Sequence, residues 1–417
     1  MKKKFFLLFA ISFFFSIFLS CGPKNTNKLK QEDLFSDQSN KEIGDTTLII
    51  KDNIQIEQDS LSTEIYSDSS FIRIEHDFIR GIYLNAYTVS SPYFPVLLDT
   101  IQSVGINTVV FDLKNMRGEV FSPEAQNQTL TNDNLISVID IDSLVFLLHK
   151  RNMKAVARLV MFHDRFLAAE DSSLRAKDRN GKYWQENKGG IPSWLDPSNP
   201  KVQNQLLGMI SKIARHKVDE IQLDYIRFPT QGKIGEAIFN FQAEDSLLYQ
   251  EDSTYVFRKK SDIIVKFIEN AKAICDSHGV TLTADIFAIV AWQRKSDINN
   301  TGQDISRMSE ILDSIHPMIY SSHFDPDFGF RNNIHNEPYY LVYQVGKLSK
   351  KFANRKCRII PYIQSNPWKV NFKKEYIQAQ LQAIKDLKID GFILWNSTNK
   401  YREPLKWLKL FNVSRET

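Results

Sequence analysis

One feature of the sequence constrains the fold more than any other: a short strand-like run followed by a helix-like stretch occurs eight times. The runs are rich in β-branched and aromatic residues, and the stretches between them have apolar residues at helical spacing. Parallel strands need helical crossovers, and eight such units close a sheet into a barrel. The sequence therefore predicts an α/β fold of the (β/α)8 TIM-barrel type. The predicted strands are Gly81–Asn85, Thr108–Leu113, Lys154–Val160, Glu220–Ile226, Thr281–Phe287, Ile315–Tyr320, Arg358–Gln364 and Gly391–Asn396.

A doubly wound open sheet is the competing architecture for alternating strands and helices. That fold binds its ligand at a glycine-rich loop after the first strand. The residues after the first run here, Ala86–Ser91, contain no such loop. The absence of this loop favours the barrel.

The start of the chain has the pattern of an export signal. Three lysines at positions 2–4 precede an apolar stretch, Phe5–Leu19, which is followed by Ser20 and Cys21. This stretch is too short and has the wrong flanks for a membrane-spanning helix. A small residue before the cysteine resembles a lipoprotein cleavage site, which would make Cys21 the lipidated first residue. We therefore predict an exported cell-envelope protein, attached to a bacterial membrane by a lipid rather than embedded in it.

Composition divides the remaining chain into a tether and a folded body. The segment after Cys21 is rich in Lys, Asn, Gln, Asp and Ser, and it cannot bury enough apolar surface to fold alone. The predicted boundaries are a signal peptide at 1–20, a flexible linker at 21–70 and a barrel domain at 71–417. The chain has 53 Lys and Arg against 49 Asp and Glu, and three of the basic residues lie in the leader. A nearly neutral body does not predict a nucleic-acid partner.

Connection lengths indicate which face of the barrel carries function. The helix-to-strand connections are short, whereas the strand-to-helix connections include four long segments, at 161–201, 228–253, 288–304 and 321–338. Barrel enzymes carry their chemistry on the strand-to-helix face. Five of the six tryptophans also fall on this face, where flat rings suit the apolar faces of sugars. We therefore expect a glycan-binding cleft there, although tryptophans in long loops also pack such loops down.

Three aspartates end neighbouring strands on the side that faces the barrel axis. Alternation within each strand turns Leu223 and its apolar neighbours toward the helices, and it turns Asp224, Asp285 and Asp112 toward the interior. Glycoside hydrolysis uses two carboxyl groups, one ionised and one protonated, on either side of the scissile bond. The alternative is that each acid caps a loop or forms a structural ion pair. Arg158 shares the phase of apolar neighbours, which leaves its direction open.

Several segments along the body resemble a known family. RGIYLNAYTVSS, VVFDLKNMRGEV, SWLDPSNP, EIQLDYIRFP, GQDISRM, HPMIYSSHF, PYIQSNPW and GFILWNSTNKY occur in order at the strand ends, from about Arg80 to Tyr401. Together they resemble the glycosyl hydrolase barrels grouped as domain of unknown function 4015. The resemblance implies a barrel hydrolase acting on a glycan, with Asp224 of DYIRFP as a catalytic residue.

The placement of the acids is also distantly similar to that of the α-amylase group. In that group an aspartate on strand four is the nucleophile, and an acid on strand five protonates the leaving oxygen. This chain has Asp285 where the amylase group has a glutamate, which puts the second assignment in doubt. It also has Asn115 where the family commonly has an acid, and Ser321 where the family has a proline.

The sequence thus predicts a glycoside hydrolase of a polysaccharide or envelope glycan, retaining, with Asp224 as nucleophile and Asp285 as general acid/base. Arg227 is expected to keep Asp224 ionised. No cofactor and no metal is predicted. Two alternatives stay open: a non-catalytic glycan-binding lipoprotein, and a polysaccharide deacetylase or esterase. The predicted substrate-binding residues are Asp112, Lys114, Arg158, Arg227, Trp292, Tyr320, His323, Gln364, Trp368, Trp395 and Asn396.

Overall fold

The structure, a computed structural model, describes residues 73–126, 134–187 and 189–409, so the predicted signal peptide, Cys21 and the linker lie outside the described residues. Eight parallel strands hydrogen-bond in chain order, and the eighth pairs with the first to close the ring. The predicted barrel is confirmed. The strands are Ile79–Leu84, Thr108–Lys114, Lys154–Val160, Glu220–Asp224, Thr281–Phe287, Ser314–Ile319, Arg358–Ile359 continued by Tyr362–Gln364, and Gly391–Trp395.

Helices follow each strand and surround the ring. The second helix is predicted from Leu135 but begins at Ile141, because the side chain of Asp140 accepts a hydrogen bond from Ser143 N and caps the helix there. Within the described ranges no helix is long and apolar enough to cross a membrane. The helices around the barrel are Phe94–Ser103, Ile141–His149, Pro200–Ile213, Lys260–Ser277, Ile305–Met308, Pro338–Phe352, Lys374–Leu387 and Arg402–Leu408. Shorter helices in the strand-to-helix connections are Ala86–Val89, Arg165–Glu170, Asn240–Glu251 and Lys295–Thr301.

The ring closes where strand eight begins beside strand one. Gly391 has a φ of 148°, and a Cβ at this position would lie 2.2 Å from Ile79 O, so only glycine fits the contact. Strand seven is interrupted at Pro361, which has no N–H to donate to a ladder. The Pro361 carbonyl still accepts a bond of 2.9 Å from Ile393 N, so the strand keeps its contact with strand eight.

Apolar side chains form two separate cores, as the strand alternation predicts. Ile221, Leu223 and Ala284 belong to the large core between the sheet and the helices. Val110 and Val156 belong to a smaller core inside the ring, together with three tyrosines. A strand that alternates between two cores places every second residue on the barrel axis. The residues in phase with Val110 and Val156 therefore determine what the interior can do.

The end of the barrel opposite the long loops is held by a buried aspartate. Asp219, just before strand four, has no exposed surface. Its Oδ1 accepts from Ile74 N at 2.8 Å, and its Oδ2 accepts from Ala155 N at 2.7 Å and lies 2.8 Å from His149 Nε2. One carboxylate thus joins the segment before strand one to strand three and to a helix.

Replacing Asp219 by Ala is expected to lower the free energy of unfolding by about 3 kcal/mol, because two backbone N–H groups lose their acceptor and one of them is buried. Urea denaturation with a spectroscopic readout measures the change. Asp99→Ala is the matched control: Asp99 pairs with Arg151 at 3.0 Å on the surface, and the expected loss is about 1 kcal/mol or less. Equal losses for the two variants would contradict the structural role of Asp219.

Candidate functional site

Arg158 lies at the centre of the group of charged residues at the C-terminal ends of the strands. It projects from strand three into the ring, in phase with Val156 of the inner core, which settles the direction that the sequence left open. One terminal nitrogen of its guanidinium donates to Asp112 and the other donates to Asp224. Its Nε lies 4.0 Å from Asp285 Oδ2 and has no hydrogen-bond partner. The three aspartates predicted to face inward therefore meet at one cation.

Asp285 is held as the protonated member of this group. It is 1% exposed, and burial together with the charge of Asp224 raises its pKa well above the usual value, although Arg158 opposes the shift. Its Oδ1 accepts a hydrogen bond from Gln222 Nε2, which also donates to Tyr362 OH at 2.9 Å. Burial and the charge of Asp224 thus favour the neutral form of Asp285, whereas the hydrogen bond from Gln222 and the charge of Arg158 favour the ionised form.

Asp112 completes the group. Its Oδ1 accepts from Arg158, and its Oδ2 accepts from Tyr83 OH at 2.6 Å. Burial raises its pKa, while the charge of Arg158 opposes the rise. Asp112 thus helps to orient the guanidinium of Arg158.

The turn after strand four fixes the carboxylate of Asp224. Tyr225 has a φ of 50°, an uncommon value for a residue with a side chain, and its N–H donates to Asp224 Oδ1 at 2.6 Å. Oδ2 is bonded to Arg158. The side chain of Asp224 is therefore held at both oxygens, one by the backbone and one by the central cation.

Arg227 follows the end of strand four, as expected, and its guanidinium lies among aromatic rings. Its guanidinium stacks on Trp194 at 4.5 Å and on Phe287 at 4.1 Å, and its Nη1 donates to Phe228 O at 3.0 Å. Among the described residues the ion pair of Asp224 is made by Arg158. Arg227 is nevertheless near enough for its charge and that of Asp224 to affect one another.

A row of aromatic rings leads from the surface to this group. Trp368 is 41% exposed, and its ring lies 5.0 Å from that of His323. His323 is 5.2 Å from Tyr320, which stacks on Trp395 at 5.9 Å. Trp395 reaches Tyr83 at 4.2 Å and lies 5.7 Å from the Arg158 guanidinium. The predicted Trp368, His323, Tyr320 and Trp395 thus form one continuous chain of ring contacts.

Lys114 lies outside this group. The pairing of strands two and three shifts between Asp112 and Lys114, so that Lys114 stands opposite Leu159, a residue of the outer core. Its Nζ donates to Val160 O at 2.8 Å and pairs with Asp164 at 2.9 Å. The bulge breaks the alternation on which the prediction relied, and it turns this cation toward the helices.

Three further predicted residues serve neighbouring loops. Gln364 donates to Trp368 O at 3.0 Å and accepts from Ser322 N at 3.2 Å. Asn396 donates to Ser365 O and Lys400 O, and its oxygen accepts from Thr398. Trp292 packs its ring against Phe328 at 5.1 Å and against Phe324. These side chains fasten the loops that border the site.

Tyr83 and Gln222 are absent from the predicted set and yet bond to the central acids, and Tyr362, also absent, bonds to Gln222. The alternation of strand four places Gln222 inward, so its direction was readable from the sequence. The hydroxyl of Tyr362 bonds Gln222 across 140 residues of chain, and nothing in a single sequence indicates that pair. Among the described residues, no three His, Cys, Asp or Glu side chains are grouped to hold a metal ion.

Asp285→Asn is expected to unfold less readily than the wild type at neutral pH. A carboxyl group whose pKa is raised by folding takes up a proton on folding, so its contribution to stability falls as pH rises from its unfolded value through its folded value. Asparagine removes this dependence. Melting temperatures of both proteins from pH 4 to about pH 8 measure it.

The surface variant Asp325→Asn serves as the control and is expected to follow the wild-type curve. If the difference in melting temperature between the wild type and Asp285→Asn does not increase with rising pH, Asp285 is not held neutral by the fold.

This chain is similar to several solved structures. The glycoside hydrolase domain of PgaB (BpsB) from Bordetella bronchiseptica is 11% identical, with a TM-score of 0.58 over 80% of this chain and 98% of that one. A "hypothetical protein" from Ruminiclostridium thermocellum is 27% identical, with a TM-score of 0.40 over 49% of this chain and 97% of that one. The spore cortex-lytic enzyme SleL of Bacillus megaterium is 13% identical, with a TM-score of 0.45 over 82% and 77% of the two chains. At its identity, the PgaB likeness shows a shared fold and nothing more.

Family membership comes from the sequence match. No curated protein matches this chain. Residues 81–401 match the family model described as "putative glycosyl hydrolase domain", and this stretch contains all eight strands except the first two residues of the first strand. It also contains every residue of the group around Arg158. The chain therefore belongs to the glycosyl hydrolase family called domain of unknown function 4015.

Proposed function

We propose that the protein is a retaining glycoside hydrolase in which Asp224 is the nucleophile and Asp285 the general acid/base. The observation that carries the proposal is that both carboxyl groups approach one guanidinium, that of Arg158. Asp224 bonds this guanidinium and Asp285 lies 4.0 Å from its Nε, so the two carboxyl groups are no more than about 9 Å apart, a limit that admits both a retaining pair, at about 5 Å, and an inverting pair, at about 6.5–9.5 Å. Their environments differ in the required direction: Asp224 is ion-paired, and Asp285 is held neutral.

The reaction proceeds in two steps. Asp285 gives its proton to the glycosidic oxygen as the C–O bond breaks, while Asp224 Oδ2 forms a bond to the anomeric carbon. Asp285, now ionised, then takes a proton from water, and the water oxygen replaces Asp224 on the anomeric carbon. Arg158 stabilises whichever carboxylate is charged at each step, since it contacts Asp224 and lies 4.0 Å from Asp285.

The aromatic row supports a polymeric carbohydrate as the substrate. Rings that run from the exposed Trp368 to Trp395 beside Arg158 offer stacking surfaces for several sugar units in succession. The hydroxyl groups of such units would meet the polar edge of the site. We propose a polysaccharide or a glycan of the cell envelope.

Asp224→Asn is expected to lower kcat/KM on a susceptible glycan by at least about 100-fold, because the amide cannot form the glycosyl ester. Reducing-sugar release from a panel of envelope and capsular glycans measures it, with exposed Asp325→Asn as control. Proton NMR of the first product identifies its anomeric configuration, and retention is expected. Unchanged turnover of Asp224→Asn would remove it as nucleophile, and inversion would replace the covalent step with direct attack by water.

A glycan-binding protein without catalysis is the second candidate, and the burial of the acids favours it. Asp224 is 4% exposed and Asp285 is 1% exposed, so the acids and Arg158 could serve as an internal polar core. In that case the aromatic row would bind glycan, and binding would survive Asp224→Asn while no glycan of the panel was cleaved by the wild type.

We also propose that the mature protein is attached to a membrane through a lipid on Cys21, on the strength of the leader pattern. Cys21→Ser is expected to abolish incorporation of radiolabelled palmitate and to release the protein from the membrane pellet into the soluble fraction. Cys275→Ser is the control, because Cys275 is buried and unpaired. Palmitate labelling that persists in Cys21→Ser would refute the anchor.

A further inference from the structure

Arg227 is a buried cation that the proposed reaction does not use. It follows Asp224 by three residues and is 2% exposed. Its guanidinium carbon lies 4.5 Å from the ring centre of Trp194, 4.1 Å from that of Phe287 and 5.3 Å from that of Tyr225. A guanidinium that stacks on aromatic faces keeps its in-plane N–H groups for hydrogen bonds.

The in-plane donors of Arg227 are used on one side only. Both hydrogen bonds of the guanidinium start from Nη1, to Phe228 O at 3.0 Å and to Thr230 Oγ1 at 3.5 Å. Its Nε is buried and has no partner. The Nε side is one of the edges through which an arginine binds a carboxylate with two parallel hydrogen bonds. The Nε edge of Arg227 therefore has an unused hydrogen-bond donor.

The charge of Arg227 is also uncompensated. No carboxylate in the described parts of the chain forms an ion pair with it, whereas Arg158, which is equally buried, pairs with two. Burial lowers the pKa of Arg227 to about 10, against a small opposing effect of Tyr225 and Asp224. The neighbouring His163 does not change this charge balance, because burial lowers its pKa to about 4 and the ring is neutral at pH 7. A buried charge without a partner is costly, and such a cost is typical of a binding site.

Stacking on aromatic rings is the simplest structural explanation for Arg227, and it accounts for only part of the arrangement. Cation–π contacts with Trp194 and Phe287 offset some of the desolvation of the guanidinium. They leave Nε without a hydrogen-bond acceptor. Arg331 also stacks on an aromatic ring, that of Tyr340 at 4.2 Å. Its Nε, unlike that of Arg227, has a hydrogen-bond partner, Glu337.

We infer that Arg227 forms a subsite for a carboxylate on the substrate, so that the glycan carries uronic acid units. The inference rests on the proposed function, because it places the acidic sugar beside Asp224. A uronic acid carboxylate has the planar pair of oxygens that fits the free edge of Arg227. Arg227 follows Asp224 by three residues, and the charges of the two side chains affect one another, so a sugar unit at Asp224 has Arg227 nearby.

Binding of free D-glucuronate and free D-glucose to the purified protein tests the inference. Neither sugar contains a glycosidic bond to another unit, so binding is independent of hydrolysis. Isothermal titration calorimetry is expected to give a Kd for glucuronate at least about 10-fold lower than for glucose. Arg227→Lys keeps the charge but loses the two-bond edge, and it is expected to weaken glucuronate binding about 10-fold without changing glucose binding. Arg331→Lys is the matched control and leaves both constants unchanged.

Equal affinity for the two sugars in the wild type overturns the inference, and so does an Arg227→Lys protein that keeps the wild-type preference. Thermal unfolding and unchanged glucose binding confirm that Arg227→Lys is folded. A selective glucuronate site in a protein that cleaves no glycan would refute the hydrolase proposal alone. Cleavage of neutral glycans with no preference for glucuronate would refute the subsite alone.

Discussion

The functional end of this barrel depends on one ion-pair network inside the sheet. Carboxyl groups on strands two, four and five point to the same axis, and their mutual repulsion would oppose folding without a cation among them. Arg158 on strand three, between the strands of Asp112 and Asp224, supplies that cation. It pairs with two of the acids and lies 4.0 Å from the third, Asp285, whose pKa is raised well above its usual value by burial and by the charge of Asp224. The position of one guanidinium thus gives the three aspartates different ionic partners.

The sequence predicted the fold and the direction of the acids because both follow from periodicity. Strand–helix alternation gave the eight strands within a few residues, and the alternation of strand four placed Asp224 and Gln222 on the axis. The same alternation gave the wrong direction for Lys114, because a bulge after Asp112 turns its side chain toward the helices. No residue type in the sequence marks this bulge. Contacts across the ring, such as Tyr362 to Gln222, depend on the closure of the sheet and leave no local signal.

The loop residues show a second limit of prediction from the sequence: it does not show which polar groups already have hydrogen-bond partners. Gln364 and Asn396 are polar, lie at strand ends and face the site, as the sequence indicates, yet their amide groups are occupied by backbone partners in neighbouring loops. Trp194 and Trp184 are buried within loops, whereas Trp368 and Trp395 line the open row. Residue type identifies a group that is able to bind a sugar, and only the three-dimensional partners show whether that capacity is free.

The turn at Tyr225 has a consequence for the way Asp224 would react. A left-handed tyrosine costs conformational energy, and here it aims a backbone N–H at one oxygen of Asp224 while Arg158 takes the other. The plane of the carboxylate is therefore set before any sugar arrives. Each oxygen keeps a second lone pair, so a new bond can form without breaking either existing one. Strain stored in the resting backbone thus reduces the reorganisation required at the transition state.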